Sequence, residues 1–285
     1  MTPTIDQKAY LNPITHILTI LKLEWFWKPA NTTLIWTISL FIGLPFFGFL
    51  SIGTALGEHP INLYYDFQLA IQRTLFPILG LLLLYHVNER GQNPSYQASI
   101  RAGGISRGEH LFGCWIYAST LMFVTQFAYM AYLLLVGMFW NADPAAIGQL
   151  NHSIYSTTSF SFVNTGSILL MTWVLMAIAQ LLWVRIGQSI LAFIATITIW
   201  VAGLSKSVWL TLWVHAEEPV LVFKVAGYIL NFLIPPFFRF DLWQMNENGM
   251  LGNMLVHLSI LALFSAIVIG ACLWISWIHL RSEKN

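Results

Sequence analysis

Charge is scarce in this sequence: Asp, Glu, Lys and Arg make up 9% of 285 residues, against 57% hydrophobic. A soluble globular chain carries roughly 25% charge, so this one lacks the polar groups to cover a water-facing surface. The mean hydropathy of +0.68 points the same way, and lipid is the solvent for most of the chain. A formal net charge of +1 with no basic cluster excludes a surface that tracks nucleic-acid phosphates. Cysteine is almost missing. Cys114 and Cys272 both stand in apolar runs without partners at ligand spacing, so neither a metal site nor a disulfide framework is expected, and both read as small packing residues. Also missing are a GxxxxGK[ST] phosphate loop, an HExxH helix and a GxSxG elbow. Their absence excludes ATP binding by a P-loop and leaves no catalytic residue to assign. No acid stands near the middle of any apolar run: Glu58 and Asp66 mark one edge, Glu89 and Glu109 the other. Ion-coupled carriers and intramembrane aspartyl proteases use acids at membrane depth, so both classes are disfavoured. Inverted repeats with paired broken helices are not visible either.

What is present is a series of apolar runs, with thirteen Trp and ten Tyr whose rings favour the headgroup level. A crossing helix needs about 20 apolar residues. Runs of that kind cover 33–56, 67–87 and 111–138. The stretch 166–204 is too long for one crossing, since at 1.5 Å per residue it would reach about 58 Å. Arg185, Gly187 and Gln188 interrupt it, so it is read as a hairpin of spans 166–184 and 188–204. A last span covers 254–278.

Lys8, Lys22, Lys28, Arg90, Arg101, Arg107, Arg185, Arg281 and Lys284, nine of the thirteen basic residues, then fall on one side. The positive-inside rule places that side, with both termini, in the cytoplasm. The segment 219–236, ending in Pro235-Pro236 and holding Lys224 and Asn231, is partly apolar; it reads as interfacial or re-entrant, with a seventh span as the alternative. No cleavable leader is expected from the polar residues 1–12. Residues 13–28 place Ile14, Ile17, Leu18, Leu21 and Trp25 on one helical face, opposite Thr15, Thr19 and Lys22. This pattern predicts an amphipathic interfacial helix anchored by Trp25, Phe26 and Trp27. The fold class is therefore an all-α integral membrane protein: six transmembrane helices in one domain over 1–285, N-in and C-in, with an interfacial helix first and a partly apolar outer segment before the last span.

Few polar residues enter the spans. Gln68, Gln72 and Arg73 share the start of the second, Gln126 lies in the third and Gln180 in the fourth. They are candidates for a polar pathway lining; the competing reading is an arginine that snorkels and glutamines that bond neighbouring helices. His215, Glu217 and Glu218 in an outer loop read as solvated.

The most informative stretch is the inner loop 89–110 with its flanks, running from His86 to Gly113. It ends one span on Glu89-Arg90, passes through 91–104 to Ile105-Ser106-Arg107, and meets Gly113 in the next span. This segment resembles the corresponding loop of the type-2 family of ABC exporter permeases. There an acidic-basic pair, a short helix, a small-apolar-Ser-Arg turn and a Gly-Lys follow in order. Cys114 stands where the family has that lysine, so the lysine's role is not carried over. The resemblance implies a permease subunit with no cofactor of its own, paired with a second copy or a paralogue and with two ATPase subunits that hold ATP and Mg. It also implies that Glu89, Arg90, Arg101, Ser106, Arg107 and Glu109 form the ATPase-coupling loop, in a multi-pass protein of the cell membrane, of the bacterial inner membrane type. The aromatic-rich spans suit an amphipathic or apolar cargo such as a peptide, drug or lipid-like molecule. A membrane assembly or maturation factor built on the same fold is the alternative class, and an ion-coupled carrier a third.

Overall fold

A computed structural model describes residues 13–25, 60–102, 104–140, 144–214 and 251–282. The first expected span (33–56), the outer segment 219–236, and His215, Glu217 and Glu218 lie outside the described residues. Seven helices and no strand occur among those described: α1 (Pro13–Trp25), α2 (Pro60–Arg90), α3 (Pro94–Ala102), α4 (Arg107–Trp140), α5 (Pro144–Ile186), α6 (Ser189–Val214) and α7 (Leu251–Ser282). Four of them, α1, α2, α3 and α5, open on proline. Proline suits a first turn because the N–H it lacks would have no helical partner there.

Three of these helices carry stretches long and apolar enough to cross a membrane: Arg107–Ala131 in α4, Thr165–Ile186 in α5 and Leu258–Leu280 in α7. Shorter apolar stretches, Thr74–Glu89 in α2 and Ser189–Val201 in α6, accompany them. The hairpin break falls where the sequence places it. Gly187 adopts φ 74°, a left-handed conformation that glycine enters without a Cβ clash, while its N–H still bonds Trp183 O at 2.8 Å. Gln188 then accepts from Ala192 N–H at 3.2 Å and starts α6. The helices overrun the expected spans. α5 has 43 residues, about 65 Å at the standard rise, and begins at Pro144 rather than near 166. The Ser, Thr and Asn of 151–165 hide this continuation from a hydropathy reading, because hydropathy marks the lipid boundary and not the helix end.

α5 is the central post, packed against α2, α4, α6 and α7. It is buried almost all round between Ile168 and Gln180, as expected of a helix apolar on every side. At its crossing with α2, Gly80 lets Thr172 and Met176 approach the α2 backbone. Phe76 and Tyr129 tie α2 to α4 with ring centroids 5.2 Å apart and planes at 59°. Three buried hydroxyls inside the apolar stretches donate to their own helix: Thr172 to Ile168 O at 2.8 Å, Thr196 to Ala192 O at 2.7 Å and Ser276 to Cys272 O at 2.7 Å. These three are matched without water, whereas the buried hydroxyls of Ser119, Thr165 and Ser265 have no partner among the described residues.

α7 exposes far more of its large apolar side chains than a helix of a soluble protein would. Its buried positions are the small residues Ser265, Cys272 and Ser276, while Leu263 is 66% and Trp274 67% exposed, with Val256, Ile260, Ile267 and Ile278 on the same outward side. In water such a face would be an aggregation surface. In lipid, apolar side chains gain little by meeting each other, and small residues let helices approach closely. Small residues at the closest contacts, with Leu261, Phe264, Val268 and Ile269 packed beside them and further large apolar residues turned outward, is an arrangement lipid favours.

Candidate functional site

The candidate site is built at the end of the bundle where α2 stops and α4 starts. Gly91 N–H bonds Val87 O at 3.1 Å and Gln92 N–H bonds Glu89 O at 3.0 Å, which closes the last turn of α2. Asn93 then caps α3: its Oδ1 accepts from the Ser95 N–H at 3.0 Å and from the Ser95 hydroxyl, and its carbonyl accepts from Gln97 N–H at 2.9 Å. An asparagine followed by proline is a strong helix start, since it supplies the missing acceptor and a pre-set φ. At the far end Gly104 takes φ 74° and Ile105 N–H reaches back to Ile100 O at 3.2 Å. This is a Schellman close, and the accompanying apolar contact is present in the buried cluster of Ile100, Ile105 and Ile20. One residue later Ser106 begins α4 with a capping box. Ser106 Oγ accepts from Glu109 N–H at 3.2 Å, and Glu109 Oε2 accepts from Ser106 N–H at 2.7 Å. The Ile-Ser-Arg turn of the sequence is thus a junction where one helix end hands directly to the next helix start.

Two further contacts fix the short helix in place. Gln97 Nε2 donates to Gly91 O at 2.9 Å, latching α3 to the end of α2. The Tyr96 ring meets His110 of α4 edge-on, with centroids 5.5 Å apart. α1 braces the same corner. Ile20 is fully buried against Gly113, so near that a Cβ there would lie 2.8 Å from Ile20 Cδ1. His16 Nδ1 stands 3.3 Å from Glu109 Oε2, an ion-pair distance whenever the imidazole is protonated, without the alignment of a hydrogen bond. The expected apolar face docks only in part. Ile14 is 62% and Leu18 51% exposed, while Leu21 of the same stripe packs against the main core, and Ile20, off the stripe, is the fully buried residue. α1 therefore meets the protein along one edge of its apolar stripe and turns the other edge outward.

Glu89 and Arg107 are exposed at the two feet of the loop. The side chains of Arg90 and Arg101 lie outside the described residues, as do those of Gln68, Gln72 and Arg73, which the fold places well inside α2 rather than at its start. Ser106 and Glu109 are half-buried and engaged with each other.

Below the loop a cavity of about 650 Å³ opens between α3, the start of α4, the α5–α6 turn and the end of α7, with Gln92, Arg107, His110, Trp183 and Leu280 among its walls. His110 Nε2 also lies 3.4 Å from the buried Cys114 Sγ. No group of three metal-ligating side chains occurs among the described residues.

Gln126 and Gln180 are fully buried and bonded between helices. Gln180 Oε1 accepts from Asn88 Nδ2 at 3.0 Å, and its Nε2 reaches Leu111 O at 3.5 Å, so one side chain links α5 to α2 and α4. Gln126 Nε2 donates to Thr165 O at 3.1 Å. Thr165 and Gln180 are separated along α5 by about 22 Å, so the two glutamines bond at different depths of the bundle. Replacing Gln180 with leucine is expected to destabilise the bundle by about 1 kcal/mol, because the buried Asn88 amide loses its acceptor. The double replacement with Asn88→Leu should cost less than the sum of the singles, as read by thermal unfolding in detergent.

Sequence reasoning missed Asn88, Ile20 and Trp183. Asn88 had a usable signal, being an uncharged polar residue in the last turn of α2; Ile20 and Trp183 had none. The Ser106-x-x-Glu109 spacing was a legible capping box. Comparison with protein-family models, curated proteins and solved structures finds no match, and among the described residues the chain is all-helical, with three helices long and apolar enough to cross a membrane.

Proposed function

We propose that this chain is the permease subunit of an ATP-driven exporter of the type-2 ABC family. It works beside a second copy or a paralogue, and two separate ATPase subunits supply ATP and Mg. Six spans, cytoplasmic termini and an outward-turned α1 at the inner interface complete the topology in the cell membrane, that of a bacterium's inner membrane. The observation that supports this reading is the short helix α3, capped at both ends and hung between two long apolar helices, with Ser95 and Ala98 exposed. A permease that takes its energy from a separate ATPase needs a stiff element to receive force, and this nine-residue helix is held by Gln97 on Gly91 O, Tyr96 on His110 of α4 and Ile100 on Ile20 of α1. Glu89 and Arg107, with Arg90 and Arg101, make the charge-assisted contacts that set register against the ATPase. Ser106 and Glu109 hold the loop's shape. The cargo is amphipathic or apolar.

Co-expression with the ATPase encoded beside it tests the reading. The two chains are expected to co-purify, ATP hydrolysis to rise on assembly, and Glu89→Lys with Arg107→Glu to lower the stimulation about tenfold. Inverted vesicles should accumulate cargo only with ATP. Failure to co-purify or to stimulate hydrolysis would contradict the proposal. Stimulation without transport would move the chain to the assembly factors, and uptake driven by a proton gradient after ATP depletion would make it a carrier.

A further inference from the structure

We infer that the cavity beneath α3 binds an anionic amphiphile, its phosphate-bearing head against the polar lining groups and the top of its chain against the apolar ones. This goes beyond the transport reading and rests only on α4, α5 and α7 being membrane spans.

Size is the first argument. About 650 Å³ falls within the roughly 300–1,000 Å³ of small-molecule sites. It holds a headgroup and several methylenes, and greatly exceeds a water site.

The lining chemistry is the second. Arg107 brings a guanidinium, whose planar fork matches phosphate oxygens. Gln92 adds an amide and His110 an imidazole. Trp183 contributes to the same lining, and its ring is amphipathic, as suits the headgroup level. No carboxylate is among the described lining residues; Glu109, the nearest acid in sequence, is turned to Ser106 and toward His16. Ile105, Val184 and Leu280 add apolar lining beside these polar groups. A ligand that satisfies both kinds of lining carries negative charge at one end and hydrocarbon at the other.

Depth is the third. The apolar stretches of α4, α5 and α7 terminate at Arg107, Ile186 and Leu280. Arg107, Gly187 and Leu280 all border the cavity. It therefore lies where hydrocarbon gives way to headgroups, the level at which a lipid phosphate resides.

Native mass spectrometry of the purified full chain tests this with three probes: phosphatidylglycerol, phosphatidylcholine of the same chains, and glycerol phosphate as a head without a tail. The chain is expected to retain phosphatidylglycerol at about tenfold lower concentration than phosphatidylcholine, and glycerol phosphate hardly at all. Arg107→Gln should remove about tenfold of that affinity. Val184→Phe fills the apolar lining without touching charge and should cause a comparable loss, while Arg185→Gln, exposed and outside the cavity, should leave binding unchanged. Equal retention of the two lipids would overturn the inference. So would glycerol phosphate binding as tightly as the lipid, since the apolar lining would then be unused. A loss in Arg185→Gln matching that in Arg107→Gln would also overturn it, by showing a diffuse basic surface. Val184→Phe leaves the exposed charges at Glu89 and Arg107 untouched, so its lipid loss separates this site from ATPase coupling.

Discussion

Replacing Gly80 with leucine is expected to destabilise the bundle by about 3 kcal/mol. A Cβ at Gly80 would lie 2.6 Å from Thr172 Cγ2 and 3.2 Å from Met176 Sδ. Thr172 cannot rotate away freely, because it is β-branched and its hydroxyl is bonded to Ile168 O. Met176 is fully buried and has no space to move into. The α2–α5 crossing must therefore widen, and the Asn88–Gln180 bond on the same pair of helices opens with it. Gly270→Leu is the matched control. Gly270 lies on the outward side of α7 with nothing within 4 Å of a Cβ, so its change should fall within about 0.5 kcal/mol of zero. Thermal unfolding of the purified chain in detergent reads both. Equal effects at the two glycines would refute the packing described for α5.

Gly113→Val is expected to release α1 from the bundle while leaving α4 and α5 folded. The three nearest atoms to a Cβ there all belong to Ile20, at 2.8, 3.0 and 3.1 Å, and the last is Ile20 Cβ itself. A rotamer change cannot relieve that contact, so the backbone of α1 must lift. Lifting separates His16 from Glu109 and uncovers Ile100 and Ile105, which share the buried cluster with Ile20. Hydrogen exchange over residues 13–25 should rise toward that of an isolated helix, since thirteen residues hold little helix without packing. Pairing Gly113→Ala with Ile20→Ala should restore protection relative to Gly113→Ala alone, a non-additivity expected of residues in direct contact. Unchanged exchange in Gly113→Val would mean that α1 docks by other contacts.

These results bear on why some of the structure was readable from the chain and some was not. Helix existence and the membrane solvent followed from composition. The hairpin at Gly187 followed from length, because a 39-residue apolar run cannot cross a bilayer once. The ends of α5 did not follow, because helix continuation through 151–165 depends on backbone bonding that serine and threonine permit while lowering hydropathy. At the loop, each cap could be read locally: Asn93-Pro94, Gly104 and Ser106-x-x-Glu109 are short-range signals with one physical meaning each. What α1 packs against could not be read, since Ile20 meets Gly113 only in three dimensions and its periodicity fits an apolar stripe less well than Ile14 and Leu18 do. The same limit holds for Asn88 with Gln180, 92 residues apart. The cavity is the extreme case, with walls drawn from α3, α4, α5 and α7, and no single segment announces it.

The central claim is that α3 is the element through which an ATPase drives this membrane protein. Site-specific photo-cross-linking tests it most directly. A photoreactive residue is placed at Ala98, exposed on α3, and as a control at Leu263, exposed on the outward face of α7. The account predicts an ATP-sensitive cross-link from position 98 to the ATPase subunit and none from position 263. Absence of a cross-link from position 98 in a complex that hydrolyses ATP and transports would contradict it.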